Sequence, residues 1–218
     1  MSVLPFSFTD ILKQNYLYLI LLFLVLFVTA TLKSAWFKGV MGELFVKFLA
    51  KLFLPKTEYH AVHNITLPTK DGTTQIDHVY FSPFGVFVIE TKHMKGWIYG
   101  SESQRQWVQK FPKSKYMFQN PVHQNAKHVR VIAKLLGVRL DDVHNIVAFT
   151  GEAKLKGKMP GNVFKGFGFV SYIKRFKQQV FSAEQVEFFY NKVLREQLPK
   201  NYKTKKQHVR NLKKRHRK

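Results

Sequence analysis

The most uniform stretch of the chain is Tyr16 to Leu32, YLYLILLFLVLFVTATL, which holds no charge and no proline. As a helix it rises about 25 Å, at the short end of a bilayer crossing. A buried helix of a soluble domain normally keeps a polar stripe, and this one has none. The pattern predicts a transmembrane helix over residues 16–32, with Trp36 and Phe37 extending its apolar band into the interface.

From Gly39 onward the pattern becomes that of a soluble domain. Glu43 to Leu54 is predicted as an amphipathic helix, with Leu44, Phe45, Phe48, Leu49, Leu52 and Phe53 on one broad face and Pro55 ending it. Tyr59 to Leu67 alternates as a strand, followed by a turn at Lys70-Asp71-Gly72. Thr73 to Phe81 and Val86 to Lys92 are rich in β-branched and aromatic residues and read as two strands joined tightly through Ser82-Pro83-Phe84-Gly85. Shorter strands are expected at Gly96–Gly100, Arg105–Lys110, Ile146–Phe149 and Val163–Val170. Pro121 to Leu136, closed by Gly137, has helical spacing, and Ser182 to Leu194 begins with the Ser182/Gln185 pair of a capping box.

Charge changes the picture most. Thirty-six Lys and Arg against 13 Asp and Glu give a formal net charge of +23. A surplus of that size attracts polyanions, whether nucleic acid or anionic lipid head groups. The segment Lys200 to Lys218 carries ten Lys or Arg and no acid. With too few apolar residues for a core, it is expected to be disordered or helical only on a partner. Lys205, Lys206, Arg210, Lys213, Lys214 and Arg215 are its candidate phosphate contacts; the anionic inner leaflet and a merely soluble charged end are the other readings. The absence of cysteine excludes disulfides, thiolate metal sites and a cysteine nucleophile.

Lys13 and Asp10 precede the span, whereas Lys33, Lys38, Lys47 and Lys51 follow it, so the positive-inside bias places the C-terminal portion in the cytoplasm. A cleaved signal peptide is the competing reading, with small residues at Val28-Thr29-Ala30. The long, nearly neutral leader and the lysines after the span argue against it. The expected organisation is a short segment (1–15), a span (16–32), a domain (39–151), a C-terminal extension packed on it (152–199) and a basic tail (200–218).

Two acids and a lysine carry the candidate chemistry. The strand period of two puts Glu90 and Lys92 on one face, and Asp77 sits between Ile76 and Val79 in the preceding strand. A charge there is costly unless paired or metal-bound. If the strands are neighbours, Asp77 and Glu90 converge to hold a hard cation through oxygen, with Lys92 aligning a water or meeting a phosphate. A structural ion pair between Lys92 and an acid is the plainer alternative. His78, His93, His123 and His128 raise a transition-metal centre, but only Gln124 and His128, at i and i+4, share a face suited to the acids. His128 is read as a satisfied helix histidine or a phosphate contact. Trp97, Tyr99, Trp107 and Phe111 read as core or interface residues before a base-stacking platform.

Gly39-Val40-Met41-Gly42-Glu43, Gln75-Ile76-Asp77-His78, Gly85 through Lys92, and Asn120-Pro121-Val122-His123-Gln124 with His128 together resemble the nuclease-related domain family. Gly96–Gly100 followed by Trp107 resembles it too. The family is similar to the restriction-endonuclease-like nucleases with a D…E-x-K core. The resemblance covers about Gly39 to Gly137; His78 after Asp77, with no proline before it, is its one departure. It implies an α/β fold, a mixed sheet flanked by helices, in the order helix, three strands, helix, strand. It also implies Asp77 and Glu90 as metal ligands for Mg²⁺ or Mn²⁺, Lys92 as catalytic lysine, Glu43 as an additional acid, and Gln124 approaching from the second helix. The function expected is a nuclease acting on DNA at the cytoplasmic face of the inner membrane. The rival is a membrane-anchored module that holds nucleic acid without cutting it.

Overall fold

A computed structural model describes residues 8–70, 72–201, 204 and 206–211, with side chains from Asn15 onward. The chain divides into two units, residues 1–41 and 42–218. In the first, α1 (Phe8–Lys33) outruns the predicted span at both ends. Its part from Asn15 to Lys33 has a mean hydropathy of 2.2 and is the one helix among the described residues long and apolar enough to cross a bilayer. The helix breaks at Ser34, whose hydroxyl donates to the Thr31 carbonyl (2.7 Å) and accepts the Phe37 N–H (3.1 Å). That cap starts α2 (Ala35–Phe53), eight residues earlier than the sequence predicts. Gly39 and Gly42 fall inside the helix, where a glycine costs only about 1 kcal/mol, which packing readily offsets.

The second unit continues with β1 (His60–Thr69), β2 (Gly72–Ser82), β3 (Gly85–His93), β4 (Gly96–Tyr99), β5 (Gln106–Lys110) and β6 (Lys115–Gln119). After α3 (Pro121–Leu136) come β7 (Val143–Thr150), β8 (Ala153–Lys156), β9 (Val163–Lys165), α4 (Gly168–Ile173) and α5 (Ala183–Glu196). The larger sheet has the order β1-β2-β3-β7-β9, antiparallel across its first three strands and parallel from β3 to β9. A smaller one, β6-β5-β4-β8, is antiparallel apart from the parallel pair β4–β8. Both sheets are mixed and helices flank them: the α/β class the sequence implies.

Alternation along β3 sends Val86 and Val88 to a core shared with Val129 and Ile132 of α3 and Phe189 and Val193 of α5. Phe87 and Ile89 face the other way, onto Val46 and Leu49 of α2 and Phe169 and Ile173 of α4. A third cluster joins Ile98 and Trp107 of the smaller sheet to Val122, Val147 and Phe149.

Three expectations are corrected. The apolar face predicted for α2 is mostly not the buried one: Gly42, Val46, Leu49 and Ala50 pack inward, while Leu44, Phe45, Phe48 and Leu52 stay exposed. Close approach to the sheet selects the narrow side of the helix; a Cβ on Gly42 would stand 2.8 Å from both His93 Cβ and Thr150 Oγ1. Val163–Val170 is a strand only to Lys165. Gly166 turns the chain at φ 57°, and Phe169, Val170 and Ile173 bury themselves at helical spacing in α4. Strands β6 and β8 were not anticipated; both are short, and β6 is largely exposed, so neither carries a strong apolar pattern.

Candidate active site

The larger sheet brings Asp77 and Glu90 together because β2 and β3 are hydrogen-bonded neighbours. Their ladder runs from Ser82↔Gly85 to His78↔Ile89, and Asp77 and Glu90 are the next residues on either strand. At that point the Thr91 N–H donates to Asp77 Oδ2 (2.8 Å), the carboxylate taking the place of a strand carbonyl. On the other side of β2, pairing with β1 is broken at the same position: every residue from His60 to Thr69 is in register except Asn64, opposite Asp77. Asn64 has φ 52°, a left-handed conformation that asparagine tolerates better than most residues. Ile76 and Val79, of opposite parity, both reach the α3 core, so the alternation of β2 resets across this break. The irregularity lets a strand with apolar neighbours present an acid on the α3 face.

Glu90 lies buried beneath α3. Lys92 Nζ donates to its Oε1 at 2.6 Å and to Gln124 Oε1 at 3.0 Å, while Gln124 Nε2 donates to the same glutamate oxygen at 2.8 Å. On the far side of the carboxylate, His128 Nε2 stands 3.5 Å from Oε2, and its Nδ1 is 2.9 Å from Thr74 Oγ1. The two acids respond oppositely to this setting. Burial, reinforced by the charges of Glu90 and Glu43, pushes the Asp77 carboxyl up to about 8. Burial alone would raise Glu90 as well, but Lys92 and His128 overcome it and hold that carboxyl below its usual value.

Buried asparagines fix α3 over β3. Asn120 caps α3, accepting the N–H groups of Val122 (2.9 Å) and His123 (3.4 Å), and its amide donates to the carbonyls of Ser101, Glu102 and Gln104. Asn125 donates to the Val88 and Ile146 carbonyls and to Asn145 Oδ1, and Asn145 donates back to the Val122 carbonyl. Gln124 is therefore aimed by neighbours on both sides. Sequence reasoning missed Asn125 and Asn145, although Asn125 lies between Val122 and Val129 on the apolar stripe, where a polar residue implies a partner. Glu43 is positioned by the tight seat of Gly42 and adds its charge to Asp77.

Asp77, Gln124 and His128 line a cleft of about 1920 Å³ between the α3 side of the larger sheet and the smaller sheet. Arg105, Lys127, Arg130, Lys156 and Lys158 also line it, and among the described residues Asp77 is the one acid that does. These five cations were not singled out from sequence; the approach to β5, α3, and the end of β8 with the turn after it bring them together from remote positions. The aromatic residues divide: Trp107 is wholly buried, its ring so close to Gly100 that a Cβ there would fall 2.2 Å from it, whereas Tyr99 is exposed on the cleft wall. His123 lines the cleft. His78 faces away, its Nδ1 3.0 Å from that of His63, and His93 bonds Thr150 Oγ1 at 3.0 Å. Among the described residues, no three histidine, aspartate or glutamate side chains gather closely enough to enclose a metal by themselves.

Of the basic tail, Thr204 and 206–211 are helical, so Lys206 and Arg210 belong to a short helix. His208 Nδ1 lies 3.0 Å from Thr73 Oγ1, the Asn211 amide lies 3.3 Å from the same hydroxyl, and His208 reaches the cleft. Lys205, Lys213, Lys214 and Arg215 lie outside the described residues.

An uncharacterized protein of Bacillus anthracis is 44% identical over 120 residues, covering 55% of this chain and 56% of that protein. The chain thus spans little more than half the length of that relative. The sequence pattern described as the nuclease-related domain matches residues 38–150, a stretch that begins in α2, ends with β7 and contains Glu43, Asp77, Glu90, Lys92 and Gln124. Over more than half of its length, including Asp77, Glu90, Lys92 and Gln124, the chain belongs to the nuclease-related domain family.

Proposed function

We propose that the domain hydrolyses phosphodiester bonds in DNA and is tethered to the cytoplasmic membrane face by α1. The observation that carries this reading is the bonded set Glu90, Lys92 and Gln124 beside Asp77, with Asp77 and Gln124 opening onto a cleft that Arg105, Lys127, Arg130, Lys156 and Lys158 also line. At about 1920 Å³ the cleft exceeds the roughly 300–1,000 Å³ of ordinary small-molecule sites. Among the described residues that line it, five cations against one acid suit a polyanion.

The acids fit a hard divalent cation. Asp77 is pushed up to about 8 because it is buried and because Glu90 and Glu43 crowd it with like charge, and a cation relieves that repulsion better than a proton does. Magnesium sites commonly use one or two carboxylates and complete the shell with water and phosphate oxygens, so the lack of a third protein ligand is no obstacle. A Mg²⁺ or Mn²⁺ ion held by Asp77 and Glu90 would supply Lewis acidity toward a phosphoryl oxygen and a hydroxide near neutral pH.

The remaining residues orient and stabilise. Lys92, fixed by Glu90 and Gln124, presents an ammonium to the attacking water or to charge developing on phosphate. Gln124 grips both Lys92 and Glu90, so the pair keeps one geometry. Glu43 adds a negative charge that strengthens cation binding, and the cleft cations neutralise neighbouring phosphates.

The test is incubation of the full chain, in detergent, with single-stranded, double-stranded and circular DNA. Cleavage that appears with Mg²⁺ or Mn²⁺ and disappears with a chelator is the expected result. Retention of DNA without cutting under any of these conditions would establish the binding-module reading instead.

A further inference from the structure

The exposed side of α2 has no use in the site just described. Leu44, Phe45, Phe48 and Leu52 are each between 43% and 61% exposed. At about 100° per residue they fall within one arc of roughly 100°, on the side of the helix away from Gly42, Val46 and Ala50. Lys51 edges this arc, and Lys47 follows it toward the sheet. A stripe of large apolar side chains beside lysines is the pattern of a helix lying in a membrane interface, and a monomeric soluble protein rarely exposes one.

The chain itself indicates the occupant. Only Ser34 separates α2 from the apolar helix α1, so α2 begins where a spanning α1 would leave the bilayer. We propose that α2 lies along the membrane surface, with Leu44, Phe45, Phe48 and Leu52 in the acyl boundary and Lys51 at anionic head groups. This rests on the reading of α1 as an anchor, but assigns α2 a separate contact.

The chain has no cysteine, so single cysteines can be placed without background. Full-length protein carrying a nitroxide at Phe48→Cys, Leu52→Cys, Leu24→Cys or Glu187→Cys is reconstituted into vesicles of phosphatidylcholine and phosphatidylglycerol. Glu187 is exposed on α5 and serves as the aqueous reference. Collision of each label with oxygen and with a water-soluble nickel chelate reports depth. The expected result is oxygen exceeding nickel at 48 and 52, more so at 24, and the reverse at 187. Labels at 48 and 52 as aqueous as 187, with 24 at bilayer depth, overturn this proposal and leave the anchor intact. An aqueous label at 24 overturns the anchor itself. Dipolar broadening between labels at 48 on two copies would show that a second chain covers the face, which also overturns the proposal.

Discussion

Two carboxyl groups on neighbouring strands differ in protonation because they differ in company: Glu90 has a lysine, a glutamine and a histidine, while Asp77 has one backbone N–H and two like charges. The folded state holds the Asp77 proton more tightly than the unfolded chain does, since the carboxyl moves from 3.8 to about 8. Its contribution to stability is therefore fully present below 3.8 and is lost as pH rises through about 8. Without metal, Asp77→Asn should melt above the wild type at pH 8, with the gap closing toward pH 4. Adding Mg²⁺ at pH 8 should raise the wild-type melting temperature and leave that of Asp77→Asn unmoved. A gap constant with pH and indifferent to Mg²⁺ would mean that the carboxylates do not form a cation site. Asp77→Asn, Glu90→Gln and Lys92→Met should each lower metal-dependent cleavage by at least about 10²-fold, the scale of losing one preorganised electrostatic group, with circular dichroism unchanged. Wild-type rates in any two of them would remove these residues from the chemistry.

Among the elements, α2 and α3 hold the site from opposite faces of the larger sheet. Asn125 and Asn145 tie α3 to β3 and β7, and Asn120 ties its first turn to the connection between β4 and β5. Helix α2 depends on the absence of a side chain at Gly42, where a Cβ would meet His93 and Thr150 at 2.8 Å. Gly42→Ala is therefore expected to destabilise the domain by about 1–3 kcal/mol, the usual cost of overpacking, despite alanine's better helix propensity. Because the displaced turn carries Glu43, cleavage should fall with stability, and denaturant titration beside activity tests both. An unchanged midpoint would mean that α2 is not seated as tightly as its geometry indicates. Helices with caps, α3 and α5, were legible in the sequence nearly to the residue, because a cap is a local hydrogen bond written in adjacent side chains. The inward face of α2 was not, since apolar residues nearly encircle it and only the sheet decides which side is pressed close.

At the scale of the whole molecule, net charge and the apolar N-terminal helix set the predictions. A reporter fused after Lys218 should read as cytoplasmic, and the full chain should remain in the membrane pellet through a high-salt wash; release by salt would leave α1 without its spanning role. The tail is expected to contribute to DNA binding. Through His208 and Asn211 its described helix meets Thr73, and His208 lines the cleft, which brings this stretch of basic chain to the cleft's edge. Deleting 204–218 should weaken binding uniformly across sequences and lower the slope of log affinity against log salt by about 0.9 for each phosphate the tail had neutralised. Equal slopes for the full and shortened chains would assign the tail to anionic lipid instead. Cleavage at saturating DNA should survive the deletion, because none of Asp77, Glu90, Lys92 and Gln124 depends on the tail for its bonds.

Some of this protein is written in local order along the chain. Apolar runs, turn residues and caps yield α1, α3, α5 and the first three strands, because those signals need only neighbours a few residues apart. The alternation of β3 likewise puts Glu90 and Lys92 on one face before any tertiary contact exists. Other features arise only when distant segments meet. The break in pairing at Asn64 and Asp77, the asparagine ties beneath α3, the five cations of the cleft and the outward face of α2 each depend on what the fold sets opposite a residue. The opposed protonation of Asp77 and Glu90 is of the same kind: burial and the charge of remote side chains fix it, and neither quantity has a value until the chain has folded.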